Sequence, residues 1–149
     1  MMNQKGILKK VLMLTLVGGL AFWLTNFAIS RTAIAADFRV AMSISYYPML
    51  LEALIGGLVI GFLVGVLLLR FYNRIPGKDP ILKSIIITSI MLVITTISIG
   101  SPASFSASGN TFRYFTIGTT FNLVRFFALG VAIGVVWKKQ SRSILSDSV

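Results

Sequence analysis

Long apolar runs separated by short polar stretches set the pattern of this chain, and four of them dominate it: residues 11–29, 49–70, 81–99 and 116–137. A hydrocarbon layer about 30 Å thick takes roughly 20 residues of α-helix to cross, which is close to the length of each run. None has a proline in its interior. Strands of a membrane barrel would be about half as long and would alternate polar with apolar. The pattern therefore predicts an all-α integral membrane protein, a four-transmembrane-helix bundle in which residues 1–149 form one membrane domain and 138–149 a flexible cytoplasmic tail.

The connections fit that reading. Residues 73–80 read NRIPGKDP, a short turn whose two prolines and glycine break helix. Residues 100–113, GSPASFSASGNTFR, are small and polar. Residues 30–48 form a longer connection ending in Tyr46-Tyr47-Pro48, whose tyrosines suit an interfacial aromatic belt. Its apolar spacing suits either an irregular loop or a short helix lying on the membrane surface.

Counting Lys and Arg predicts the orientation. Lys5, Lys9, Lys10, Arg70, Arg74, Lys78, Lys83, Lys138, Lys139 and Arg142 fall on one side, and Arg31, Arg39 and Arg113 on the other. By the positive-inside rule both termini are cytoplasmic, in a multi-pass protein of the plasma membrane. The basic edges attract anionic lipid headgroups, an anchoring effect of about 1 kcal/mol per residue. Residues 5–36 also resemble a secretory signal, since lysines precede an apolar run and Ala33-Ile34-Ala35 gives an A-x-A site. The apolar run of about 19 residues exceeds the usual signal core of roughly 7–15, which favours retention.

Composition narrows the function classes. Hydrophobic residues make up 56% and charged residues 12%, too little polar surface to cover a water-facing globule. The net charge of +10 does not imply nucleic-acid binding, because the basic residues edge the apolar runs rather than one soluble face. With no cysteine or histidine and only Asp37, Glu52, Asp79 and Asp147 as acids, thiol and imidazole catalysis are excluded and a metal or cofactor site is not expected.

A candidate internal repeat has a period of 73. Gly57 and Gly61 match Gly130 and Gly134, Glu52 falls opposite Arg125, Thr15 matches Thr88, and Lys10 matches Lys83. Two accounts stand: duplication of a two-helix unit, with both halves oriented alike about an axis along the membrane normal, or chance within the small alphabet of membrane helices. Under duplication, Glu52 and Arg125 occupy equivalent places with opposite charge, which suggests an ion pair across the bundle.

Charges inside membrane spans cost roughly 2.5–3.5 kcal/mol and commonly mark function. Asn122, three residues before Arg125, and Asn26 in the first run complete a candidate polar cluster of Glu52, Arg125, Asn122 and Asn26. Counting from the inner ends of the runs leaves the two charges about 7 Å apart in depth, a gap much of which a long Arg side chain spans. The bland alternatives are a Glu52 that reaches headgroups and a snorkelling Arg125. Gly57, Gly61, Gly65, Gly130 and Gly134 are spaced for helix packing, inside the monomer or in a dimer. The Ser and Thr residues of the first and third runs suit hydrogen-bonded glue between helices more than a conduit, since no charge lies among them.

The expectation is a non-catalytic membrane subunit or scaffold that packs against another membrane protein or a second copy. The alternative is a small ion or solute transporter using the polar cluster. Amino-terminal sequencing of the purified protein should show residues 1–35 retained; a mature start at Ala36 would overturn that.

Overall fold

The computed structural model describes residues 4–100 and 110–146, with side chains placed for 6–98 and 110–140. It contains α1 (Gln4–Ser30), α2 (Ala33–Ala41), α3 (Tyr46–Phe71), α4 (Pro80–Thr95) continuing into a π-helical turn (Thr96–Gly100), and α5 (Thr111–Ser146), with no strand among the described residues. Four of these, α1, α3, α5 and α4 with its π turn, are long and apolar enough to cross a membrane. At most 28% of the residues in each apolar stretch are buried inside the molecule. Most of the apolar surface therefore points outward, as lipid-solvated helices require.

Local chemistry accounts for the boundaries. Gly77 takes φ +105° in the turn after α3, a conformation glycine adopts without a Cβ penalty. Asp79 then caps α4 by accepting from the Ile81 amide at 3.2 Å, with Pro80 at the first helical position. Residues 30–48 contain a nine-residue helix, α2, capped by the Thr32 hydroxyl on the Ala35 amide. α5 runs on into the segment expected as a flexible tail, as far as Ser146. Lys138, Lys139, Gln140 and Arg142 are good helix formers, and no glycine or proline interrupts them.

The helices form a ring in the order α1, α3, α4, α5. The tightest seam joins α1 to α3; α1 also packs along α5, and α5 along α4. The α3–α4 side closes much more loosely, and α3 barely reaches α5. Glycines set the close approaches. A Cβ on Gly61 would come within 3.0 Å of the Thr15 carbonyl, and one on Gly57 within 3.0 Å of the Gly19 carbonyl. Adjacent glycines of α1 serve different neighbours, Gly18 lying against Leu129 and Ile133 of α5 and Gly19 against Leu58 of α3. Gly130 meets Ile85 and Thr88 of α4, and Gly134 meets Ile81. The buried core, including Leu14, Phe22, Val64, Leu68, Phe126 and Ile133, fills the middle of the ring.

The two hairpins do not pair in the same register. At an offset of 73, the partners of Gly57, Gly19 and Phe22, would place Gly130 against Leu92 and Thr95. Gly130 instead meets Thr88 and Ile85, seven residues away, or about 10 Å along the helix. The halves are not superimposable copies at that offset, so Glu52 and Arg125 are not equivalent in space.

One feature at the terminal end joins all four long elements. The Lys10 ammonium lies 3.8 Å from the centre of the Trp137 ring, Trp137 stacks on Tyr72 at 5.1 Å and 18°, and Lys83 sits 4.0 Å over Tyr72. Lys83 also donates to the Tyr72 carbonyl at 2.6 Å. α1, α5, the residue ending α3, and α4 each supply one member. Trp137 and Lys83 are buried, which strengthens the cation–ring attraction toward ~2 kcal/mol.

Replacing Gly61 or Gly134 by leucine should lower thermal stability in detergent by about 1–3 kcal/mol or more, because the atoms in the way are mostly backbone. Gly56→Leu, at a position with nothing within 4 Å, should be nearly silent. Equal melting temperatures for all three variants would refute the packing account.

Candidate functional site

The polar residues within the long apolar helices lie toward the end of the bundle where α1 finishes and α5 begins. Phe22 of α1 meets Phe126 of α5 edge to face at 5.6 Å. These helices run antiparallel, so one turn beyond Phe22 along α1, at Asn26, is level with one turn before Phe126 along α5, at Asn122. Arg125 lies beside this level, and its Nη1 donates to the Asn122 side-chain oxygen at 3.1 Å. Asn26, Asn122 and Arg125 thus share one layer.

The layer is polar yet under-bonded. Asn26 is 1% exposed, and neither its amide nitrogen nor its oxygen has a hydrogen-bond partner. Arg125 is half-buried, and its Nε is buried without a partner. Buried polar atoms are nearly always paired, so each such atom calls for an explanation. Aromatic rings cover the layer: Phe38 of α2 packs edge-on against Tyr114 and Phe121, and the Arg125 guanidinium lies 5.9 Å from the Phe121 ring centre. Arg39 holds α2 in place by donating to the Ser30 carbonyl at 3.0 Å, and it lies 5.1 Å over Tyr46.

Glu52 is not part of the layer's bonding. It is exposed, and the one salt bridge among the described residues joins Lys138 to Asp79 at 3.5 Å. The expected Glu52–Arg125 pair is therefore corrected: within this chain the two charges do not meet. The cause is geometric. Glu52 precedes Gly61 by nine residues, which turns it about 180° from the glycine edge at ~100° per residue. That edge faces α1, so Glu52 faces away from it. Trp23 pins the neighbouring turn by donating from its indole nitrogen to the Leu50 carbonyl at 3.1 Å.

The hydroxyl stripes bond locally. Thr25 donates to the Ala21 carbonyl, and Thr88 lies within hydrogen-bond distance of the Ser84 and Ile85 carbonyls of its own helix. Ser84 is fully buried with its hydroxyl unpartnered. The hydrogen bonds of Thr25 and Thr88 therefore do not cross between helices. The groove between α4 and α5, about 260 Å³, is lined mainly by apolar residues such as Leu92, Val124 and Phe127 and stands apart from Asn26 and Arg125.

The Lys10–Trp137–Tyr72–Lys83 stack was not foreseen from sequence, where Lys83 counted only as an edge charge. Among the described residues no cluster of three His, Cys, Asp or Glu groups is present.

Asn26→Leu replaces two unpaired polar atoms with apolar ones of similar volume, and should leave thermal stability unchanged or higher. A loss of more than about 2 kcal/mol, the scale of a broken buried hydrogen bond, would show that the amide is bonded in the native protein. Comparison with protein-family models, with curated proteins and with solved structures finds no match for this chain.

Proposed function

We propose that the chain is a non-catalytic subunit or scaffold of the plasma membrane, with both termini cytoplasmic, that packs against partner helices. The observation carrying this reading is Glu52. It sits among Leu51, Ile55, Val59 and Phe62 on the outward apolar face of α3, all of them exposed, and it forms no ion pair among the described residues. It lies six residues into α3, about 9 Å from the helix start. A carboxylate costs roughly 2.5–3.5 kcal/mol at the centre of a span and less toward its end, and a cation on another membrane protein offsets that cost. The orientation rests on the ten basic residues at the end of the bundle that carries the termini. The same residues favour contact with anionic headgroups.

A second reading, a small ion or solute transporter, is favoured by one observation: the fully buried, unpartnered Asn26 amide level with Asn122 and Arg125. Polar groups placed so inside a bundle suit a polar occupant.

Gentle extraction followed by native mass spectrometry should show a stoichiometric complex. Glu52→Gln should reduce the complexed fraction at least fivefold without changing the yield of folded chain. A lone monomer that carries solute into liposomes, with flux lost in Arg125→Gln or Asn26→Leu, would replace the subunit reading with the transporter.

A further inference from the structure

Glu52 and Arg125 do not meet within one chain, yet their depths agree. Gly57 lies against Gly19 and Phe22, and Phe22 meets Phe126. Glu52 is five residues beyond Gly57 toward the end opposite the termini, and Arg125 is one residue beyond Phe126 in the same direction. Followed along α1, the two side chains start within about 4 Å of the same depth. They lie on opposite flanks of α1, since α3 packs on one side of it and α5 on the other.

Glu52 lies on the outer face of α3, and Arg125 lies half-buried at the edge where α5 meets α1 and α2, turned away from α4. Glu52 points away from α1 and belongs to an exposed strip with Ile55 and Val59. Arg125 stands about 140–180° from Gly130 and Gly134, the glycines that meet α4. It shares a stripe with Gly118 and Phe121, which meet Phe38 of α2, and the stripe continues past α2 as the half-exposed Ala128 and Ala132. Small residues on the Arg125 side permit close helix approach. Among the described residues, Asn122 is the hydrogen-bond partner of the guanidinium.

We propose that the protein self-associates, with Glu52 of one copy pairing with Arg125 of the next. α3 and α5 run in the same direction, so α3 of one copy lies parallel to α5 of its neighbour when both copies are oriented alike in the membrane. Matched depth is what such an arrangement needs: a rotation about the membrane normal keeps every residue at its own level. The contact uses two different patches, so it is head-to-tail and builds a ring, or an open array if the rotation does not close. This rests on the subunit reading and names its partner as a second copy of this chain.

The test uses the full-length protein in native membranes. The chain has no cysteine, so a copy carrying Ile55→Cys and a copy carrying Ala128→Cys report one specific contact when coexpressed and oxidised. A disulfide-linked pair is expected, and Glu52→Arg or Arg125→Glu alone should cut its yield at least tenfold. Combining E52R with R125E in the same chain should restore it, because the pair reforms with its charges exchanged. Glu52→Gln and Arg125→Gln give the same comparison without reversed charges, and single-peak elution in detergent verifies folding. Cross-linking absent, indifferent to either charge, or not recovered in the exchanged variant overturns self-association. If the chain instead forms a stoichiometric complex with a different membrane protein that is lost in Glu52→Gln, self-association fails while the subunit reading holds. If neither complex forms, both fail.

Discussion

The backbone contact between α1 and α3 determines most of what lies above it in this structure. Three glycines of α3 and Gly19 of α1 remove the side chains that would hold the two helices apart, so the carbonyls of Thr15 and Gly19 come to van der Waals distance of the facing helix. Water-driven burial does not bring helices together in lipid, so close packing of this kind takes its place. Once that edge of α3 is committed to α1, the rotation of α3 about its axis is settled, and so is the direction of every other side chain on it. Glu52 faces outward as a result. Its exposure follows from where the glycines are.

α1 has a second role as the element shared between both sides of the ring. Its Gly18 face admits Leu129 and Ile133 of α5 while its Gly19 face takes Leu58 of α3. The result is a lopsided ring, tight around α1 and open between α3 and α4. The polar layer lies along the α1–α5 seam. Asn26 and Asn122 reach the same level there because the helices are antiparallel, and Arg125 is tied to Asn122 within one turn of its own helix.

Much of this architecture was legible in the pattern of apolar residues. The four long helices follow from run length alone, and the turn between α3 and α4 follows from its glycine, aspartate and prolines. The glycine positions were visible too, but not their partners, because a stretch of small residues does not say which neighbour will fill it. The period of 73 misled for the same reason. It aligned Gly57 with Gly130 by identity, whereas packing places Gly130 about two turns from the corresponding position on α4. The outward direction of Glu52 could have been read from its nine-residue spacing to Gly61, had the face occupied by α1 been known. The helical continuation past residue 138 lies beyond the apolar run, and there the helix propensity of Lys, Gln and Arg carries it on.

The stack of Lys10, Trp137, Tyr72 and Lys83 bears on the order in which the molecule is completed. Its four members span residues 10 to 137, so Trp137 reaches Lys10 and Tyr72 only after the other three members have left the ribosome. Until then the earlier hairpin is a latch without its bolt, with one ring face and one ammonium uncovered. The last of these four helices to emerge is thus the one that locks the three before it, and a nascent chain halted short of it would hold its helices with that end of the ring still ajar.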